Sequence, residues 1–232
     1  MTDTIDDSRR GASGIDQRDR QARGIKLTVV ALLVLIGVFV AGFIHRVQQP
    51  RILTDAEMKA NGAYLFATPR AIGEFSLETH RGEPFTPATL RGEWSLIFFG
   101  FTHCPDICPT TMAFLDGFVR ELEDTEAHAT RVFMVTVDPA RDTVEALAAY
   151  VPFFNPAFTG VTGEFLDIHR FATALNTPFR KTATENQDYL IDHGSNVALI
   201  NPRGDFHGFF KAPLDLAKMK LTYRSARALW DR

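Results

Sequence analysis

Trp94-Ser95-Leu96-Ile97-Phe98-Phe99 runs into Gly100-Phe101-Thr102-His103-Cys104-Pro105-Asp106-Ile107-Cys108-Pro109, and this passage decides the fold. Its first six residues are almost continuously bulky and apolar, which suits a strand covered on both faces, in a mixed or parallel sheet with helices over it. Gly100 ends the run. Pro109 fits the start of a helix, where its missing N–H loses no hydrogen bond. Met112, Leu115, Val119 and Leu122 then recur at spacings of three and four, one apolar helical face. The passage therefore predicts strand, turn and helix, and the turn holds the only two cysteines of the chain. At such a junction the helix N-terminus favours thiolate, the form that binds metals or attacks disulfides. Two sulfurs that close are a metal clamp or a redox couple, and the spacing allows a Cys104 to Cys108 disulfide.

Downstream, Val132 to Val137 predicts a second central strand, ending in Asp138-Pro139-Ala140-Arg141-Asp142-Thr143. Asp142 with Glu145 three residues later fits a capping box opening a helix through Leu147 and Tyr150, broken by Pro152 and Pro156. Phe165 to Leu175 predicts a short helix. Asn196 to Ile200 and Phe206 to Phe210 predict paired strands around the turn Asn201-Pro202-Arg203-Gly204, and Leu214 to Leu229 a closing helix. Upstream, Gly73 to Phe85 alternates loosely about a polar turn and predicts a hairpin. That order of elements is expected of an α/β, thioredoxin-like domain with an N-terminal hairpin extension.

Ahead of this domain, Leu27 to Ile44 is free of charge and rich in Val, Leu, Ile and Phe. At about 1.5 Å per residue it spans roughly 27 Å, close to a hydrocarbon core. It predicts a retained membrane helix rather than a cleaved signal, since no small-x-small site follows. Arg18, Arg20, Arg23 and Lys26 before it outweigh Arg46, Arg51 and Lys59 after it, which puts the N-terminus in the cytoplasm. The expected division is a disordered tail over 1–24, an anchor over 25–45, a linker over 46–69 and the thioredoxin-like domain over 70–232. The net charge of −3 leaves no basic stripe to neutralise phosphates, which argues against nucleic acid.

A metal clamp needs a donor beyond the two thiols. Of the seven histidines, His193 stands out: it lies in Asp188-Tyr189-Leu190-Ile191-Asp192-His193-Gly194-Ser195, read as a polar loop before an apolar strand, from which a ring nitrogen could reach the sulfurs. Two thiolates and one imidazole form a soft set suited to Cu(I), tolerable for Cu(II) and not impossible for zinc; zinc would want a fourth ligand or water. His103 either tunes the thiols or faces solvent. Asp138 either orients a ligand from behind or caps its loop. A purely redox pair, Cys104 attacking and Cys108 resolving, needs no histidine. A peroxide-reducing site would need an arginine near the attacking thiol, and none is close in sequence. Of the 20 phenylalanines, Phe98 and Phe133 are core candidates, whereas Phe153-Phe154 and Phe209-Phe210 each place a ring where a partner could meet it.

Three separated motifs, Cys104-Pro105-Asp106-Ile107-Cys108-Pro109, Thr136-Val137-Asp138-Pro139-Ala140-Arg141-Asp142-Thr143, and the Tyr189 to Asn196 segment followed by Leu199-Ile200-Asn201-Pro202-Arg203-Gly204, together resemble the Sco/SenC family of cytochrome oxidase assembly proteins over about residues 70 to 228. The resemblance implies a membrane-tethered thioredoxin-like domain facing the periplasm, on a single-pass anchor in the bacterial inner membrane. It implies copper held by Cys104, Cys108 and His193, with Asp138 as the acidic residue at the neighbouring strand end. One departure is Gly194, where the family more often has serine. The implied function is delivery of copper, Cu(I) or Cu(II), to the binuclear copper centre of cytochrome c oxidase subunit II. The alternative is a thiol-disulfide oxidoreductase that reduces the cysteines of that centre before metallation. A copper donor or thiol reductant upstream is implied as a further partner.

Overall fold

The computed structural model describes residues 26–44, 46, 52–122, 124–183 and 189–230; the tail expected over 1–24 lies outside them. The chain forms two units, Met1–Pro50 and Arg51–Arg232. In the first, α1 spans Lys26–Ile44, and none of its apolar surface is covered by protein. Its length and composition suffice to cross a membrane.

The second unit begins inside the stretch 46–69, expected as a linker. The structure places there α2 (Asp55–Ala60) and β1 (Ala63–Arg70). A capping box explains the helix: the Thr54 hydroxyl accepts from the Glu57 N–H while the Glu57 carboxylate accepts from the Thr54 N–H, so two orphan donors are satisfied. The strand is explained by pairing remote in sequence, since β1 forms a sheet edge against β10 (Phe206–Phe210), with Tyr64 opposite Phe209. Gly208 permits this approach, because a Cβ there would collide with the Tyr64 carbonyl.

The remaining elements are β2 (Leu77–Thr79), β3 (Pro84–Phe85), β4 (Trp94–Gly100), α3 (Ile107–Glu121), α4 (Asp124–His128), β5 (Thr130–Thr136), α5 (Val144–Phe154), β6 (Thr159–Thr162), α6 (Phe165–Ala174), β7 (Phe179–Ala183), β8 (Tyr189–His193), β9 (Val197–Ile200) and α7 (Leu216–Trp230). The main sheet has the order β1-β10-β9-β4-β5-β6-β2-β3. The expected hairpin is present as the antiparallel pair β2 and β3. At the centre, β4 pairs in parallel with β5 and antiparallel with β9. All seven residues of β4 are buried, Ser95 among them, as a nearly continuous apolar run requires when helices cover both faces. The mixed α/β arrangement of central sheet and flanking helices is thioredoxin-like.

Three local expectations change. α3 starts at Ile107, two residues before Pro109. The N-cap of α5 is Thr143, whose hydroxyl accepts from the Ala146 N–H at 3.2 Å, so Asp142 does not cap the helix; its carboxylate is buried and bonded elsewhere. Pro152 lies within the last turn of α5 rather than ending it. His193 also differs: it is the last residue of β8, in a two-stranded sheet with β7, opposite Phe179. The hairpin forms there because Phe179 and Ile191 are buried against the core while the paired Arg180 and Asp192 face outward.

Candidate metal centre

The strand β4 delivers the chain to Gly100, and the requirement for glycine is steric: a Cβ at this position would lie 2.7 Å from the Phe98 ring and 3.0 Å from the Cys108 sulfur. The turn then carries Cys104, which is half-buried, and the first turn of α3 carries Cys108, which is fully buried. Both are free thiols. The backbone N–H of Cys108 donates to the Cys104 Sγ at 3.4 Å, so an unpaired donor of the helix N-terminus faces sulfur, the arrangement that favours thiolate.

From the other side, β8 brings in His193. Its Nε2 is 3.6 Å from the Cys108 Sγ, and the ligand atoms of Cys104, Cys108 and His193 all lie within 4.8 Å of one another. The Nδ1 is 3.1 Å from the Gly194 carbonyl oxygen. A carbonyl only accepts, so Nδ1 carries the proton and Nε2 turns its lone pair to the sulfurs. The rings of Phe98 and Phe101 stand edge-on to the imidazole, at 6.0 and 5.7 Å between centroids. Burial lowers the His193 pKa, so the ring is neutral, as a ligand must be. Burial, with Cys104 and Asp142 alongside, pushes the Cys108 thiol far up. An entering cation must displace that proton.

Asp138 is fully buried but does not join the cluster. Its carboxylate accepts from the Tyr189 hydroxyl at 2.7 Å, pairs with Arg141, and lies 3.5 Å from the Lys181 ammonium. Tyr189 and Lys181 belong to the hairpin that ends in His193, and the Tyr189 ring has the Arg141 guanidinium 4.1 Å and the Lys181 ammonium 4.3 Å from its centroid. The acid thus fastens the histidine-bearing hairpin to the end of β5. Tyr189, Lys181 and Arg141 were not singled out as functional by the sequence; the only signal for Tyr189 and Arg141 was their place inside the quoted motifs, and Lys181 had none. His103 is exposed, its Nδ1 3.0 Å from the Thr102 hydroxyl.

Two sulfurs and one imidazole nitrogen, converging with no carboxylate among them, make a soft, low-coordinate donor set that fits a copper ion. The site is reachable: Cys104 is half-exposed, and the Ile107 side chain between the cysteines is 48% exposed. Ile107, Phe114 and Leu214 line a groove of about 360 Å³ with Ser195 from the segment after His193. Phe98 and Phe133 are core residues, whereas Phe153 is 84% exposed.

Known proteins are similar to this chain in sequence and fold. The SCO1/SenC family model matches residues 66–225. A Stutzerimonas stutzeri protein named for copper binding is 35% identical over 169 residues, covering 72% of this chain and 83% of that one. The mitochondrial protein SCO2 of Saccharomyces cerevisiae is 34% identical over 181 residues, covering 76% of this chain; the match spans 58% of the yeast protein's length. The crystal structure of Arabidopsis thaliana ScoI with copper bound superposes with a TM-score of 0.64 at 32% identity, over 68% of this chain and 98% of that one.

Proposed function

The chain belongs to the SCO1/SenC family, and from that premise we propose that it is a membrane-anchored copper chaperone that delivers copper to the binuclear copper centre of cytochrome c oxidase subunit II. The observation that carries the reading is the convergence of Cys104, Cys108 and His193, the last two 85 residues apart, on one point. Copper is the cargo. Cys108 gives up its proton as the ion enters, and His193 offers the Nε2 lone pair already aimed inward. The buried Cys108 retains the ion, while the half-exposed Cys104 is the ligand that an acceptor thiolate can replace first. Transfer is then stepwise ligand exchange at the rim, with no net redox change. Copper and a Cys104–Cys108 disulfide compete for the same sulfurs, so only the reduced protein loads.

In this reading α1 is a single-pass anchor in the bacterial inner membrane with the soluble unit in the periplasm. Tethering confines the search to the plane of the acceptor and raises its effective concentration. A second reading, reduction of the acceptor's cysteines before metallation, is favoured by the unequal exposure of the thiols: the half-exposed Cys104 suits attack and the buried Cys108 suits resolution.

The test replaces His193 with Ala and measures copper stoichiometry beside dithiol cycling. Copper retention is expected to collapse while the thiols still oxidise and reduce; Cys104→Ser or Cys108→Ser abolishes both. Unchanged copper binding in His193→Ala removes the chaperone reading's third ligand.

A further inference from the structure

Asp142 has no exposed surface, and a carboxylate so buried is costly unless donors surround it. Three do. Its Oδ2 accepts from the Thr102 backbone N–H at 3.0 Å and from the Thr136 hydroxyl at 2.7 Å, and its Oδ1 accepts from the Thr102 hydroxyl at 2.5 Å. Its own carbonyl accepts from the Thr162 hydroxyl at 3.1 Å. One residue thus joins the cysteine turn to the end of β5 and to β6. Two of the three carboxylate bonds go to Thr102, two positions before Cys104, across 40 residues of sequence. The turn is also held by the Cys104 N–H donating to the Phe101 carbonyl at 3.2 Å, the Cys108 N–H donating to sulfur, the His103 Nδ1 contact to the Thr102 hydroxyl, and the Val137 N–H donating to the Gly100 carbonyl. The role of helix cap is filled by Thr143, so capping does not account for Asp142.

We propose that Asp142 is a positioning residue of the metal centre, acting through Thr102 to fix Cys104 against Cys108 and His193. The inference rests on the copper-binding reading above. Loss of a group that orients a ligand from behind typically costs about 10–100-fold in metal affinity, and the local hydrogen bonds are worth about tenfold in opening of the turn.

The experiment uses the full chain in detergent micelles, reduced, with Thr102→Val, Thr102→Ser, Thr136→Val and Asp142→Asn. Amide hydrogen exchange of the metal-free protein is read over the cysteine turn, and Cu(I) affinity is read by chelator competition. Thr102→Val is expected to speed exchange about tenfold at the turn and to weaken copper at least about tenfold, with Thr102→Ser close to the parent. Thr136→Val removes a bond to the same carboxylate from the β5 side and also the acceptor of the Asp138 N–H; it should lower Tm more than Thr102→Val does yet hold affinity within a few-fold. Parent-like exchange and affinity in both Thr102→Val and Asp142→Asn would overturn the proposal, as would equal affinity losses in Thr136→Val and Thr102→Val. If the parent itself takes up no copper, the chaperone reading fails, and the metal-free exchange data still decide whether Asp142 holds the turn.

Discussion

Cys108 combines complete burial with a position in the first turn of a helix, and burial prevails: the thiol holds its proton well beyond the ordinary range. Copper binding must therefore release that proton, and affinity rises with pH wherever the thiol is still protonated. For one proton the expected gain is about tenfold per pH unit, measured as Cu(I) affinity from roughly pH 6 to 8; a flat profile would mean a thiolate already present. Gly194 behaves differently. A Cβ there would touch only the Thr177 methyl at 3.6 Å, an ordinary contact, so Gly194→Ser should leave copper affinity unchanged and stability within about 0.5 kcal/mol. A large loss in either would show that the glycine is needed for more than space. The three clustered side chains were legible in the sequence because their chemistry is distinctive. Asp142 was misread because Asp142 and Glu145 mimic a capping box, and nothing local reveals that the next residue, Thr143, does the capping.

The hairpin of β7 and β8 brings the third donor to the site, yet among the described residues it pairs with no strand of the main sheet. Two strands alone are marginal in water, so its placement depends on what fastens it, and Tyr189 on Asp138 is a part-buried polar contact in that fastening. Tyr189→Phe keeps the ring beside its two cations and deletes the hydroxyl's hydrogen bond to Asp138 along with its contact to Lys181, worth about 1 kcal/mol of stability each. The expected signature is a loss of about tenfold in copper affinity with a small fall in Tm; equal affinity in variant and parent would reduce the Asp138–Tyr189 contact to stability alone. This element also shows where sequence reading stops. The strands β4, β5, β9 and β10 announce themselves through apolar runs, and α3, α6 and α7 through periodicity. In contrast β7 reads Phe-Arg-Lys-Thr-Ala, β6 is the four residues Thr-Gly-Val-Thr, and β1 carries Pro69. Each is a strand through its partner rather than its own composition.

Across the whole soluble unit, the metal centre sits at the Gly100 end of β4 and an aromatic cluster at the Trp94 end. There His207 lies edge-on to both Trp94 and Trp230, at 5.1 and 5.8 Å between centroids. The Asn201 amide faces the His207 Nδ1 at 3.4 Å; with the amide nitrogen donating, that ring nitrogen is unprotonated. Burial, with Arg203 nearby, lowers the His207 pKa to about 4. The unfolded chain takes up this proton near pH 6.5 and the folded chain only near 4, so more protons bind to the unfolded state between those values and stability falls as pH drops through the window. His80 and His193 are shifted in the same direction by burial and add to the slope. Tm of the metal-free protein is therefore expected to decline from about pH 6.5 to 4. In His207→Gln the decline should be shallower by up to one proton's worth, even if the variant starts from a lower Tm at neutral pH. Parallel declines in parent and variant would mean that the ring takes up its proton inside the folded state. Because His207, on β10, packs against Trp94 at one end of β4 while the sulfurs lie beyond Gly100 at the other end, copper loaded at neutral pH should raise Tm in both proteins equally, which separates acid sensitivity of the fold from acid sensitivity of the site.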